Sequence, residues 1–215
     1  MNKKKLVGLA TGLLFFGSSF IAQAALVEVA PSSYSFDQTT DSGTYNYSDY
    51  GGIQLTDGQY GAAPWSADLG NGHAYEWVGW VYDSLVNIDF DFGSAIEVNQ
   101  INIGTVQDNL GDVVLPSVNL YSSSDGVNWN YFYNYSVPES TSNNDQYFTY
   151  ELGGLSVTDQ YFRVSLYHSE NGPWTFTDEI DFYQESSPVP EPATMLLFGT
   201  GLAGLIGTKV RRNKK

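Results

Sequence analysis

The chain has 215 residues and no Cys, and its 24 acidic against 9 basic side chains give a formal net charge of −15. Hydrophobic residues make up 42% and aromatic residues 15%, so the chain is too apolar for a disordered acidic tail and is long enough for one domain with short appendages. The lack of Cys excludes a disulfide framework, thiolate zinc sites and a cysteine nucleophile. The acidic balance argues against nucleic-acid binding, which needs a basic face.

The N-terminus has the three parts of a secretory signal. Lysines at positions 3–5 form a positive segment, residues 6–16 form a short apolar stretch, and Ala22-Gln23-Ala24 matches the small-x-small cleavage pattern. We therefore expect residues 1–24 to be a signal peptide that is removed after Ala24. The alternative is an uncleaved membrane anchor.

Residues 25–185 predict an all-β domain, because apolar and polar residues alternate with the period of a half-buried strand. The best case is the segment in which Val86, Ile88, Phe90 and Phe92 alternate with Asn87, Asp89 and Asp91. Further candidate strands cover 129–135, 161–167 and 179–183, and weaker ones cover 101–103, 118–121 and 146–152. Turn signals such as Asp125-Gly126 separate them. Many short strands without helical periodicity favour an antiparallel sandwich or barrel.

Several motifs in this region occur in a recognisable order. They are the turn Leu55-Thr56-Asp57-Gly58, Trp65 and Trp77, the segment 123–129 with the pattern Ser-x-Asp-Gly-x-x-Trp, Tyr161-Phe162-Arg163-Val164, and Asp178-Glu179-Ile180-Asp181-Phe182. Over residues 51–183 the chain resembles the discoidin, or coagulation-factor type C, domain. The resemblance implies a galactose-binding-like antiparallel jelly-roll β-sandwich of eight strands. The chain lacks the cysteine pair of the animal domain, and its Tyr-rich segment 34–50 has no clear counterpart.

The same resemblance, to bacterial galactose-binding-like modules, implies a structural Ca²⁺ site. Calcium binds six to eight oxygen atoms from carboxylates, backbone carbonyls and water. Asp57 and Glu179 would supply carboxylates, and Leu55, Gln59 and Ala62 would supply mainly backbone oxygens. The alternative is that Asp57 only caps its turn and Glu179 is a solvated edge residue.

Aromatic side chains in or beside predicted loops are candidates for stacking on sugar rings, because a flat ring offers apolar area to a sugar face. We expect Trp65, His73 and Trp174 to form a ligand-binding site at one end of the sandwich. The alternative for each is a packing role.

Other aromatic residues are expected to be structural. Trp129 is expected in the core, and Trp77 and Trp80 between the sheets. Tyr131, Tyr133 and Tyr135, on the same predicted face as Trp129, are expected to pack across strands. Arg163 is expected to form a structural ion pair, and the alternative is a role in holding a ligand.

The C-terminus carries a second targeting signal. A short linker at 186–189 leads to Pro190-Glu191-Pro192, an uncharged hydrophobic segment at 193–208, and a basic tail that includes Arg211 and Arg212. A plain membrane anchor is the simplest interpretation, although about 20 apolar residues are needed to span a bilayer. The three-part arrangement at 190–215 strongly resembles a PEP-CTERM sorting signal. That implies a Gram-negative, biofilm-forming source, transient passage through the inner membrane, processing by an exosortase-type enzyme, and export to the cell surface or extracellular matrix.

The part of the chain left after both ends are removed is strongly acidic. Arg163 is the only basic residue in 25–190, against 23 of the 24 acidic residues, so this segment has a formal net charge of −22. Sequence motifs for common catalytic machinery are missing. We therefore expect an exported, non-catalytic, calcium-stabilised carbohydrate-binding module with a polysaccharide or cell-surface glycan as its partner. The alternatives are a structural matrix protein without a discrete ligand and a small secreted hydrolase that uses two carboxylates.

Overall fold

The computed structural model describes residues 25–40, 46–67, 76–107, 112–136, 146–168 and 172–186. They belong to one compact unit, Ala25–Ser186. The predicted signal peptide, the sorting signal and most of the predicted linker lie outside the described residues. Among the helices of the described part, none has the length and apolar character needed to cross a membrane.

Eight strands and two short 3-10 helices make up the regular structure of this part of the chain. The strands are β1 (Leu26–Glu28), β2 (Ser33–Phe36), β3 (Val78–Val81), β4 (Leu85–Gln107), β5 (Ser117–Ser123), β6 (Asn130–Tyr135), β7 (Gln146–Tyr167) and β8 (Trp174–Glu185). The 3-10 helices, Tyr50–Gly52 and Gln54–Thr56, lie between β2 and β3. An all-β fold is therefore confirmed.

The eight strands pair antiparallel in the order β1-β8-β4-β7-β5-β6, with β2 also paired to β4 and β3 also paired to β8. The long strands β4 and β7 belong to both layers of the sandwich, because their pairing is interrupted by β-bulges after Asp91 and after Val98. The first layer contains β2, residues 85–91 of β4, residues 161–167 of β7, β5 and β6. The second layer contains β1, β3, β8, residues 100–107 of β4 and residues 146–153 of β7.

The main hydrophobic core lies between these layers. Phe90 and Phe162 of the first layer meet Phe182 of the second, with ring centroids 4.9 Å and 5.9 Å apart. Leu55, from the second 3-10 helix, and Trp80 are also buried there. A smaller cluster at one end of the sandwich contains Tyr47, Trp77, Val106, Val113, Trp174 and Phe176. Trp77 and Trp80 are each 1% exposed, and the predicted position between the sheets is confirmed for Trp80, whereas Trp77 lies in the smaller cluster.

The predicted alternation is confirmed in the first layer, where Val86, Ile88, Phe90 and Phe92 are buried and the residues between them are half-buried. The sequence separated 86–92 from 101–103, whereas the structure joins them in β4 through the bulged segment. Part of the Tyr-rich segment forms β2, where Ser33–Phe36 adds a strand beside β4.

The prediction of a core position for Trp129 is wrong. Trp129 is half-buried on the outer face of the first layer, where the Arg163 guanidinium lies 4.2 Å from the ring centroid. Trp129 comes directly before β6, and its ring packs on Arg163 rather than in the space between the layers.

The three predicted tyrosines do not share one face. An irregularity in the β5–β6 pairing places Tyr131 opposite Tyr121, whereas Tyr133 lies opposite Leu120. Tyr131 is therefore 58% exposed and contacts Tyr121 edge-on, with centroids 5.7 Å apart. Tyr133 and Tyr135 pack against the core. Cross-strand packing is confirmed, but it takes place on two opposite faces.

Candidate functional site

The Asp-Gly turn that follows the second 3-10 helix is held against β8. Gly58, which has a φ of +77°, donates its backbone N–H to Glu179 Oε2 over 3.1 Å. Asp57 accepts the Gln59 backbone N–H on Oδ1 over 2.9 Å and the Gln59 side-chain Nε2 on Oδ2 over 3.3 Å. Asp57 therefore does cap its turn, as the alternative interpretation held. The same turn also brings Asp57 close to Glu179.

Glu179 belongs to a buried acidic segment of β8. Asp178, Glu179 and Asp181 are only 4%, 1% and 6% exposed. The segment that follows the turn covers them, since Gly61 donates its backbone N–H to Asp178 Oδ2 over 2.6 Å and the Tyr60 hydroxyl donates to Asp181. The interpretation of Glu179 as a solvated edge residue is therefore wrong.

Burial and mutual repulsion make it unfavourable for several acidic side chains of this segment to be ionised at the same time. Burial raises the pKa of Glu179 to about 8, and repulsion by Asp181, Asp57 and Asp178 adds to the increase. Burial also raises the pKa of Asp178 to about 6. The only Lys or Arg in 25–190, Arg163, is bound elsewhere. Within residues 25–190 no Lys or Arg is therefore placed to compensate these acids, which leaves protonation or a bound cation to neutralise them.

The chemistry of the site fits Ca²⁺. Two carboxylates, Asp57 and Glu179, lie beside a tight turn whose backbone carbonyls are further oxygen donors, and hard cations prefer such oxygen sets. In the described ranges, no three His, Cys, Asp or Glu side chains are grouped so that they could hold a metal ion. A metal here would therefore take much of its coordination from backbone oxygens, the role predicted for Leu55, Gln59 and Ala62.

Of the three predicted ligand-binding residues, Trp174 belongs to the smaller cluster at one end of the sandwich and Trp65 packs against it. Trp174 is 7% exposed and stacks on Phe176 with centroids 5.3 Å apart. Trp65 is half-buried and also stacks on Phe176, at 5.5 Å. His73 lies outside the described residues. The structure thus brings Trp65 and Trp174 together around Phe176, and the burial of Trp174 favours packing for that residue.

Arg163 forms the ion pair expected from the sequence. Its Nε and Nη2 donate to the two carboxylate oxygens of Asp89 over 2.6 Å and 2.8 Å, while the guanidinium covers Trp129. Such bidentate pairs fix the geometry of both groups.

Sequence reasoning missed Asp178, Asp181 and Tyr60. The alternation with Ile180 and Phe182 placed Asp181 on a solvated face of the strand, whereas the turn segment covers it. One signal was available, because three acids in four residues are unusual inside a predicted strand.

Comparison with known families identifies this fold. A family model of the F5/8 type C domain matches residues 38–180. The chain belongs to the F5/8 type C domain family. This F5/8 type C protein also matches the PEP-CTERM protein-sorting motif over residues 188–212, a range that contains Pro190, Glu191, Pro192, Arg211 and Arg212. It therefore carries the signal of an exported protein that the exosortase system handles. Among curated proteins, there is no significant match.

Several solved structures are similar to this F5/8 type C domain at low sequence identity. The C-terminal domain of a chitobiase from Bacteroides fragilis has a TM-score of 0.50 at 14% identity, covering 75% of this chain and all of that domain. Truncated AlyQ with CBM32 and alginate lyase domains has a TM-score of 0.49 at 16% identity. That match covers 78% of this chain but only 36% of the AlyQ chain. The family 32 CBM of Clostridium perfringens NanJ, in complex with galactose, scores 0.46 at 13% identity, with 74% and 100% coverage.

Proposed function

We propose that this protein is an exported, non-catalytic carbohydrate-binding module that acts at the cell surface or in the extracellular matrix after exosortase processing. The observation that carries the proposal is the F5/8 type C match over residues 38–180, followed by a sorting motif at 188–212. A binding domain delivered outside the cell meets polysaccharides and cell-surface glycans as its main partners. The formal charge of −22 on residues 25–190 favours neutral glycans or anionic glycans bridged by cations.

The ligand site of this proposal is the sandwich end that carries Trp65. Trp65 is half-buried, and we assign it the stacking role together with His73. Trp174, which is 7% exposed, would support Trp65 through Phe176. Bound Ca²⁺ at Asp57 and Glu179 would stabilise the neighbouring turn, and the burial of Glu179 close to other acidic side chains supports this part of the proposal.

Glycan binding by the purified protein tests the proposal. Calorimetric titration with neutral polysaccharides should give saturable binding that Trp65→Ala weakens at least tenfold, because the stacking ring is lost. Tyr131→Ala is the matched control, since it removes an exposed aromatic ring that is 58% accessible on β6. Melting curves of both variants are needed because Trp65 also contacts Phe176.

A structural matrix protein without a discrete ligand is the second candidate. The burial of Trp174 and the stacking of Trp65 on Phe176 favour it, because both rings then serve the fold. The absence of saturable binding to every glycan tested, with a normal melting transition, would support this candidate and contradict the first.

A further inference from the structure

A groove lies on the outer face of the first layer, beside the turn that contains Asp125 and Gly126. Its volume is about 240 Å³. The residues that line it include Ser33, Ser35, Asp89, Asp91, Trp129 and Tyr161. The groove is separate from the end of the sandwich that carries Trp65. Residues 89–91 near the start of β4 line the groove, whereas Val106 of the smaller cluster lies near the end of the same strand.

The strand register forms the floor of the groove. Ser33 lies opposite Asp91, and Ser35 lies opposite Asp89. Asp91 in turn lies opposite Tyr161 on β7. Directly opposed residues project from the same face of a sheet, so hydroxyls and carboxylates from neighbouring strands form one polar surface.

Trp129 supplies a fixed aromatic wall. The Arg163 guanidinium covers one side of the indole at 4.2 Å, and the two bonds from Arg163 to Asp89 hold that guanidinium in place. Arg163 is not among the residues that line the groove, whereas Trp129 is. Tyr161 is the second aromatic residue of the lining. A wall held this way loses little conformational entropy when a ligand binds.

The charge of the floor limits which ligands it accepts. Arg163 neutralises Asp89. Asp91 accepts the Gln160 side-chain Nε2 and the Gly93 backbone N–H on Oδ1, over 2.9 Å and 2.7 Å, and these bonds lower its pKa and keep it ionised. Both bonds go to Oδ1, which leaves Oδ2 as an acceptor for a ligand hydroxyl. One uncompensated negative charge repels uronates, sulfates and phosphates.

We propose that this groove is a second glycan-binding site, which takes one ring of a neutral sugar. The apolar face of the sugar ring lies against Trp129, and the sugar hydroxyls form hydrogen bonds with Asp91 Oδ2, Ser33 and Ser35. A volume slightly below the ~300–1,000 Å³ of pockets for drug-sized ligands fits one ring. The inference goes beyond the proposed function, because this site shares no residue with the Trp65 end. A chain with both sites can engage two parts of one polysaccharide, which raises its avidity without new contacts.

Nuclear magnetic resonance of the ¹⁵N-labelled protein distinguishes binding in the groove from binding near Trp65, because each of the five tryptophan indole N–H groups gives its own signal. The probes are neutral oligosaccharides built from glucose, galactose, mannose or xylose, with oligogalacturonate and glucosamine oligomers as charged comparisons. We expect at least one neutral probe to shift the Trp129 indole signal in a saturable way, and oligogalacturonate to leave it unchanged. A shift of the Trp65 signal alone supports the proposed function and overturns the groove.

Ser35→Tyr fills the groove from an exposed strand position without touching the core, and Ser33→Tyr is the second blocking variant. Each should weaken binding at the Trp129 signal at least tenfold and leave any shift at Trp65 unchanged. Ser156→Tyr places the same ring at an exposed position of β7 outside the groove and should change neither signal. Equal binding by the blocking variants and the parent protein overturns the proposal, as does a Trp129 response to the glucosamine oligomer alone.

Discussion

At the scale of single residues, Asp125 shows how one side chain shapes a turn beside the groove. Its carboxylate accepts the backbone N–H groups of Val127 and Asn128 over 2.9 Å and 2.8 Å, and the Ser123 hydroxyl over 2.9 Å. Gly126 follows with a φ of +70°, which L side chains rarely adopt. This one carboxylate therefore sets the turn that places Trp129 over the sheet.

The bonds to Asp125 predict a pH-dependent contribution to stability. Hydrogen bonds from the backbone and side chain of Asn128, with those from Val127 and Ser123, hold the pKa of Asp125 well below its usual value of 3.8. A carboxyl with a lowered pKa in the folded state stabilises the protein above its unfolded pKa and loses that effect as the pH falls through the folded pKa. Asp125→Ala should therefore lower Tm at pH 7, and the difference from the parent protein should shrink below about pH 3. Asp125→Asn keeps an acceptor oxygen and is the control. An equal Tm difference at pH 7 and pH 2.5 would contradict this account.

At the scale of elements, alternation in the sequence predicted the strands but not their continuity. Residues 86–92 show the period of two, and the following Gly93, Ser94 and Ala95 are exposed and break it, so the sequence ends a strand where β4 only bends. The burial of Glu179 and Asp181 was missed for a different reason. The turn residues that cover them, Gly58 and Tyr60, lie 121 positions away in sequence, and no local pattern encodes such a contact.

Packing between β4 and β8 depends on a glycine. A Cβ added at Gly104 would lie 1.7 Å from Asp178 Oδ1, at the point where Gly104 faces an irregular part of β8. Gly104→Ala should therefore displace the buried Asp178 carboxylate and lower the free energy of unfolding by about 1–3 kcal/mol, as overpacking does. Urea unfolding gives this value.

The matched control is Gly153→Ala, at an exposed position of β7 where the nearest atom to the added Cβ is the flexible Gln100 Oε1 at 3.2 Å. This variant should change the free energy of unfolding by no more than about 0.5 kcal/mol. Equal effects of the two variants would show that Asp178 is not tightly enclosed.

At the scale of the whole molecule, the proposed Ca²⁺ site links the turn at Asp57 to global stability. A ligand that binds only the folded state stabilises it by about 2.7 kcal/mol at 100 times its Kd. For a domain of this size the increase in Tm is roughly 2–4 °C per kcal/mol, so saturating calcium should raise Tm by about 5–10 °C over EDTA. Asp57→Ala should abolish the difference, and Asp159→Ala, which removes a partly exposed carboxylate from β7, should keep it. A calcium shift that survives Asp57→Ala would place the metal elsewhere.

The sorting motif predicts the fate of the complete chain. Glu191→Ala, or replacement of Arg211 and Arg212 by Ala, should leave a larger, unprocessed protein in the membrane fraction, because the processing enzyme no longer recognises the motif that spans 188–212. Glu185→Ala, at the end of β8 and outside the motif, is the control. Immunoblots of membrane and medium fractions measure the outcome. Unchanged size and distribution in both motif variants would contradict the role of the motif.

The ion pair of Arg163 has a practical consequence for proteolysis. Proteases of the trypsin type cleave after Lys or Arg, and residues 25–190 offer them only the bond between Arg163 and Val164. That bond lies inside β7, with β4 and β5 hydrogen-bonded on its two sides, and the side chain is held by Asp89. Cleavage at this bond therefore requires β7 to open, so the rate of cleavage after Arg163 in the native protein reports on the opening of one central strand.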